Sequence, residues 1–331
     1  MKVEELPVSH FPRTRGKSTG GNPKVVFKAL RELLVFWWHL RQEILVEQGR
    51  AVFRWEAILI ALIILIGASL SLFNIDQYLT FLGDEGRDVL IVRRMITERH
   101  PALIGPQTSI GNMYLGPLYY YLMFLPLLVF NFSPVGPAVM VSMVNLATIA
   151  LIWWIGRQWF GRFPALLIST FYAITPTVLV HSRSSWNPNV MPFFVLITMY
   201  GVWKVWRFGY WRWLVILAIS YAFVLQSHYL GLLLGPVIGL FLFLSPKKPN
   251  YKRSAVSALF LFLVLMSPLL IFDIRQNWIN SQAIYNFFSN RQTTVNFRAY
   301  KAIPHLWPIW VNLNSTLLAA HNLILSQILS V

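Results

Sequence analysis

The chain contains no cysteine, so it has no disulfide, no thiolate nucleophile and no Cys metal site, and its redox compartment is left open. It is also short of charge. Only 12% of its 331 residues are Asp, Glu, Lys or Arg, against roughly 25% in soluble domains, which excludes an ordinary soluble globular protein. Acids are the scarcest, 12 against 28 Lys and Arg, for a net charge of +16. In a soluble chain that excess would suggest nucleic acid. Here 56% of the residues are hydrophobic, with 14 Trp, 24 Phe and 13 Tyr, and several uncharged runs approach the roughly 20 residues that a membrane span needs. The basic residues therefore read as topogenic charge beside spans, the fold class as an all-α polytopic membrane protein, and nucleic acid is not an expected partner.

Residues 1–56 carry ten Lys or Arg and six Glu, too much charge and length ahead of the first apolar run for a cleavable signal peptide. The first span is expected to be a retained anchor behind a basic cytoplasmic tail. Pro7, Pro12, Gly16, Gly20, Gly21 and Pro23 predict disorder over 1–23. From 24 to 48, Val26, Leu30, Leu33, Trp37, Leu40 and Ile44 recur at helical spacing with Lys28, Arg31, Glu32, Arg41 and Glu43 between them, which predicts a helix lying on the membrane surface. Gly16-Lys17-Ser18 resembles the end of a phosphate-binding loop, but Phe11 stands where that loop needs glycine.

Seven segments qualify as spans: 57–75, 135–155, 163–180, 189–206, 213–226, 229–244 and 255–272. Residues 213–244 are 32 uncharged positions, about 48 Å as one helix, so they divide at Ser227-His228. The run 115–132 is the ambiguous one. If it does not cross, Arg157, Arg162, Lys204, Arg207, Arg212, Lys247, Lys248, Lys252 and Arg253 all lie in cytoplasmic loops, and of the short-loop basic residues only Arg183 lies outside; if it crosses, all nine move outside, against the positive-inside rule. Pro117, Pro126, the short run and three consecutive tyrosines suited to an interface favour a lateral helix. The organisation expected is a tail with interfacial helix over 1–56, a seven-span module over 57–280 whose outer loop 76–134 holds interfacial helices, and an extracytoplasmic stretch over 281–331 that starts a further span.

This topology gathers four polar clusters on the outer face: 84–88, 181–187, 226–229 and 273–277. Asp84, Glu85 and Asp88 form the only acidic cluster near a span mouth, where an acid is costly unless solvated, paired or used. Residues 85–98 alternate charge with Val89, Val92, Met95 and Ile96, another surface helix. His181 and Arg183 end the third span, and Arg183 could equally snorkel to lipid phosphate. His228 sits in a tight bend where a lone imidazole needs a partner. Asp273 and Arg275, two residues apart, do not face each other on a helix. Arginine forks grip phosphate oxygens, and a carboxylate takes a proton from an attacking hydroxyl.

In this order, Gly83-Asp84-Glu85 after the first span, Thr108-Ser109-Ile110-Gly111-Asn112 leading into Leu115-Gly116-Pro117-Leu118-Tyr119-Tyr120-Tyr121, Ser182-Arg183, and Pro268 through Phe272-Asp273-Ile274-Arg275 make residues 57–290 resemble the polytopic GT-C-type glycosyltransferases. Those enzymes use polyprenyl-phosphate sugars and include protein O-mannosyltransferases and lipid A aminoarabinose transferases. The resemblance implies a shared seven-span module, two surface helices in the first outer loop, Asp84 as catalytic base and Glu85 as its neighbour. It implies transfer of a hexose or pentose from a polyprenyl phosphate to a hydroxyl of a protein, lipid or glycan; the charge arithmetic places that chemistry on the extracytoplasmic side of the plasma membrane, and a single in-line displacement would invert the anomeric centre, by analogy with glycosidases. Candidates to hold the donor phosphate are Arg183, Arg275 and His228; His181, Asp88, Asp273 and Tyr119 are further cavity candidates. A divalent metal ion is an open cofactor, with no ligands assigned. Two departures stand out: Leu115-Gly116-Pro117 where many members have a basic residue or His before Pro-Pro, and Gln226-Ser227-His228 where many have Lys. The rival readings are a secondary transporter, which would place charges near the midplane and show an internal repeat, and a scaffold presenting the helix of residues 24–48.

Overall fold

The computed structural model describes residues 23–48, 53–109, 113–246, 251–289 and 303–317. The tail over 1–22, with its Gly16-Lys17-Ser18, the residues Ile110-Gly111-Asn112, the basic pair Lys247-Lys248 and much of 290–331 lie outside the described residues. The helices are α1 (Pro23–Gln48), α2 (Arg54–Leu72), α3 (Ile75–Tyr78), α4 (Gly83–Thr97), α5 (Leu118–Val129), α6 (Val135–Trp159), α7 (Arg162–Ile174), α8 (Pro176–Ser182), α9 (Met191–Phe208), α10 (Trp213–Ser227), α11 (Leu234–Phe243), α12 (Tyr251–Arg275), α13 (Ile279–Ser289) and α14 (Leu306–Leu317). Extended pairing among the described residues is confined to two isolated bridges, Thr80 with Ser184 and Gln107 with Tyr114. The chain is an all-α membrane protein.

Each of the seven apolar segments is helical. By length and composition α2, α6 and α12 can cross a bilayer, and α7 with α8, bent by 60° at their break, are together long and apolar enough for a broken span or a re-entrant pair. The bend has a local cause. Thr175 precedes Pro176 and takes extended backbone, φ −62° and ψ 122°, as the proline ring requires of its neighbour. Helix α9 has 18 residues, α10 has 15, and Tyr229–Phe243, a short 3-10 turn running into α11, is shorter than a full span. Inside α12, Pro268 cannot donate to Val264, and the Ser267 hydroxyl serves that carbonyl instead at 2.8 Å. The lipid-facing sides stay apolar and uncovered, as at Val256, Leu259 and Phe260 of α12.

The segments alternate between two ends of the bundle. At the basic end, Glu56 of α2 meets Arg157 of α6 and Arg162 of α7, Gln158 Oε1 accepts from Tyr200 at 2.8 Å and Lys204 at 3.3 Å, and Trp211 Nε1 donates to the Pro246 carbonyl at 2.9 Å. The α9–α10 turn there closes on Gly209 at φ 62°, whose N–H reaches the Val205 carbonyl at 2.8 Å while the Tyr210 N–H reaches Lys204 at 3.2 Å. At the other end lie the C-terminus of α2, the N-terminus of α6, the end of α8, the start of α9 and the ends of α10 and α12. Ser182 bonds Ser71 at 3.2 Å and Ser142 donates to the Ser182 carbonyl at 2.8 Å.

Helix α5 stays at that second end. Leu118 at its start meets Gln226 of α10 and Tyr119 meets Ser185, while at its other end the Pro126 carbonyl packs so close to Gly136, at the start of α6, that a Cβ there would lie 2.5 Å away. These contacts lie toward that end, where the charge arithmetic expects a helix that does not cross. It pairs with α4 by burying Val89, Val92 and Met95 against Tyr119, Tyr120, Met123 and Leu127. The three tyrosines are not all interfacial anchors. Tyr119 and Tyr120 are 1% exposed in the seam between α4 and α5, and only Tyr121 faces outward, donating to the Ala102 carbonyl at 2.9 Å. Helical spacing explains it, because successive residues of α5 turn by about 100° and cannot share one environment.

Candidate active site at the polar end of the bundle

Helix α4 starts just after the first span, and its first turn carries two acids with different surroundings. Glu85 is 4% exposed. Its Oε2 accepts from the Leu82 N–H at 3.0 Å, satisfying a free donor of the helix start, and its Oε1 accepts from the Ser184 hydroxyl at 2.7 Å. Asp84 is half exposed, at 54%, and its Oδ1 takes Arg87 Nη1 at 2.9 Å. Both line a cavity of about 420 Å³ together with Thr80, Leu82, Gly83, Val180, His181, Ser184 and Trp186. The first and second polar clusters of the sequence thus meet in one cavity. The Thr80–Ser184 bridge holds its two walls together.

The other candidates fall in separate places. Arg183 sits beside the cavity with its guanidinium turned to the end of α2, donating to the Leu70 carbonyl and, at 3.3 Å, to that of Ser71, with Tyr78 beneath it at 5.1 Å. A cation there closes carbonyls left over at a helix C-terminus. Tyr119 is buried and donates to the Ser185 carbonyl; burial and the nearby carboxylates push its phenol upward. His228 follows α10, its Nδ1 accepts from the Leu230 N–H at 3.2 Å, and burial pulls it below the usual imidazole value. Asn187 links the second and third clusters by donating to the Ser227 carbonyl at 2.5 Å.

Asp273 is 5% exposed and starts α13: Oδ1 accepts from the Asn280 N–H and Oδ2 from the Ser281 hydroxyl, both at 2.7 Å. Asn280 in turn accepts from the Tyr114 N–H at 2.7 Å, tying the segment before α5 to the end of α12. Arg275 is exposed at the same end of the bundle. His228, Asp273 and Arg275 are not among the residues that line the Asp84 cavity. At the departure from the family pattern, Gln226 is 1% exposed, accepts from Leu118 N–H at 3.3 Å and donates to the Leu265 carbonyl at 2.9 Å, so it joins α5, α10 and α12.

Two residues that the sequence reading did not place in the site complete it. Arg87 bridges Asp84 and Asp88, and Ser184 orients Glu85. The spacing of three between Asp84 and Arg87 is the signal that points to the first; nothing local in the sequence points to the second, which comes from the fold. Among the described residues no three of His, Asp and Glu come together to hold a metal ion.

A long-span, all-α chain with a carboxylate cavity at the end of the bundle opposite its basic loops is a polytopic membrane protein with an enzyme-like site. The family model described as dolichyl-phosphate-mannose-protein mannosyltransferase matches residues 115–272, a little under half of the chain. The match supports a membrane glycosyltransferase of the GT-C type, in agreement with the resemblance read from its sequence. The match takes in α5 to α12 and does not reach Asp84, Glu85 or Asp88. No curated protein and no solved structure matches the chain.

Proposed function

We propose that the chain moves a sugar from a polyprenyl-phosphate donor to an acceptor hydroxyl in the cavity walled by Asp84, His181, Ser184 and Trp186. The carrying observation is Asp84 itself, half exposed on the cavity wall while its neighbour Glu85 is spent on the fold. Arg87 occupies Oδ1, so Oδ2 is the oxygen assigned to take the acceptor proton. As that O–H proton passes to Asp84, the acceptor oxygen bonds to the anomeric carbon and the carbon–oxygen bond to phosphate breaks. The polyprenyl phosphate leaves as a stable anion, so no strong acid is needed. One in-line displacement inverts the anomeric centre, by analogy with the two-faced logic of glycosidases. The test is transfer from radiolabelled dolichyl phosphate mannose, and a panel of other polyprenyl-phosphate sugars, by the purified full chain in nanodiscs; no transfer from any of them would dismiss the reading.

The site is proposed to face away from the cytoplasm. Glu56 neutralises part of the charge of Arg157 and Arg162, but acids count little in the positive-inside rule, and Lys204, Arg207 and Arg212 share that end. Single cysteines can be placed at will in this cysteine-free chain. In intact cells an impermeant maleimide is expected to label a cysteine at position 83 and to spare one at position 210; the opposite pattern would invert the topology.

Arg183 and Arg275 should respond differently to Lys. Arg183 already spends its fork on α2 carbonyls, so Arg183→Lys is expected to lower thermal stability and leave donor KM within about twofold. Arg275 is exposed at the polar end, and Arg275→Lys is expected to raise donor KM about tenfold, roughly 1.4 kcal/mol, if its planar fork grips phosphate. Donor KM unchanged in Arg275→Lys would remove it from the phosphate site.

A further inference from the structure

Asp88 lies one turn of α4 beyond Asp84 and outside the cavity lining. Its side chain is 0% exposed. Its Oδ1 is crowded, accepting from Arg87 Nε at 3.0 Å and from the Tyr120 hydroxyl at 3.1 Å, with Arg87 Nη2 at 2.9 Å. Its Oδ2 is buried with no partner. A carboxylate placed this way costs the fold free energy, so its contribution has to be sought in what it holds. What it holds is Arg87. With Nε and Nη2 fixed from behind, the guanidinium presents Nη1 to Asp84 Oδ1 at 2.9 Å. Without that anchor Arg87 would be a partly exposed side chain on a surface helix, and exposed pairs of that kind hold geometry weakly.

We infer that Asp88 is a positioning residue for the transfer step: it anchors the fork of Arg87, and through Arg87 it fixes the Asp84 carboxylate at the cavity wall. The inference rests on the reading of Asp84 as base. No atom passes to or from Asp88. The charged and titratable groups around it are Arg87, Asp84 and Glu85 on α4 and Tyr119 and Tyr120 on α5. Burial holds its carboxyl up to about 6, against the pull of Arg87 and the Tyr120 hydroxyl. The sign follows from that. The cost of ionising Asp88 in the fold is absent below its ordinary value of 3.8, grows as the pH rises toward about 6, and is fully present above it. Protonating Asp88 therefore relaxes the fold's burden and releases Arg87, so turnover should fall as the pH drops below about 6. In Asp88→Asn the amide oxygen still accepts from Arg87 but lacks the charge that makes the anchor strong, so that limb of the pH profile should be gone, the rate being low throughout.

The experiment compares wild type, Asp88→Asn, Arg87→Lys and the double variant as full chains in nanodiscs. Two quantities are read: turnover of radiolabelled dolichyl phosphate mannose, and labelling of Asp84 by a water-soluble carbodiimide at pH 7, located by peptide mass spectrometry. Asp88→Asn and Arg87→Lys are each expected to lower kcat by about 10- to 100-fold while donor KM moves less than about threefold, and the double variant should be no worse than either. Labelling of Asp84 should rise severalfold in all three, with the thermal midpoint of Asp88→Asn at neutral pH no lower than that of wild type. Unchanged Asp84 labelling in Asp88→Asn overturns the inference, as does a loss of rate that only parallels a loss of folded protein. If the wild type turns over no donor, labelling still decides the anchor, and it is the transfer reading that fails.

Discussion

Asp84→Asn is expected to lower sugar transfer by about 10² to 10⁴-fold, the range that a general base contributes, while leaving the amount of folded protein unchanged. The amide keeps the shape of the carboxylate and can still accept from Arg87, but it cannot take the acceptor's proton. The fold should barely notice. Asp84 is 54% exposed and its one ion pair is partly solvated, a pair of the sort worth at most about 1 kcal/mol. Glu85→Gln is expected to behave in the opposite way. Both Glu85 oxygens accept hydrogen bonds, so an amide nitrogen must face either the Leu82 N–H or the Ser184 hydroxyl. Gln can still accept from the Leu82 N–H with Oε1 while its Nε2 donates to the Ser184 hydroxyl, so what is lost is the charge in those two bonds, about 1 kcal/mol, which should appear as a slightly lower thermal midpoint with a smaller loss of kcat. Initial rates at saturating donor, measured beside thermal unfolding, separate the two carboxylates. Asp84→Asn protein that turns over at the wild-type rate would remove the base assignment.

That contrast also shows how far the sequence carries. The apolar segments were legible because lipid imposes one demand on every residue of a span, and each becomes helix. That α5 stays toward one end of the bundle was legible as well, since nine basic residues change sides if it crosses. Joints between helices were not. Nothing local distinguishes Glu85, bonded to a serine 99 positions away, from Asp84 beside it. Asp273 looks as available as Asp84 in the sequence, yet it caps α13, whose start the apolar pattern does not announce. Arg183 carries a further lesson. Its type suits phosphate, and the fold turns it to the carbonyls at the end of α2, a partner found only once α2 and α8 are side by side.

At the opposite end of the bundle, Glu56→Ala is expected to destabilise the protein by about 3–5 kcal/mol, the cost of leaving a buried charge without its counterion. Glu56 is 0% exposed and Arg157 2%, and they form an ion pair through Arg157 Nε, with Arg157 Nη2 at 3.3 Å from Oε2. Trp153 Nε1 donates to the same carboxylate at 3.2 Å, and Arg162 Nε stands 3.6 Å from it. One acid thus gathers α2, α6 and α7 where their ends meet. Arg157 also lies over the Trp153 ring at 4.9 Å, a contact too weak to replace an ion pair. Its removal should show as a lower thermal midpoint and a poorer yield, whereas kcat per folded molecule should hold, because the Asp84 cavity is at the far end of α2. The pair's net worth differs from the cost of breaking it. Replacing both partners by apolar groups, in Glu56→Leu/Arg157→Met, removes the orphaned charge and should recover most of the loss. A double variant as unstable as Glu56→Ala would mean that Arg162 and Trp153, rather than Arg157, are the partners that need the carboxylate.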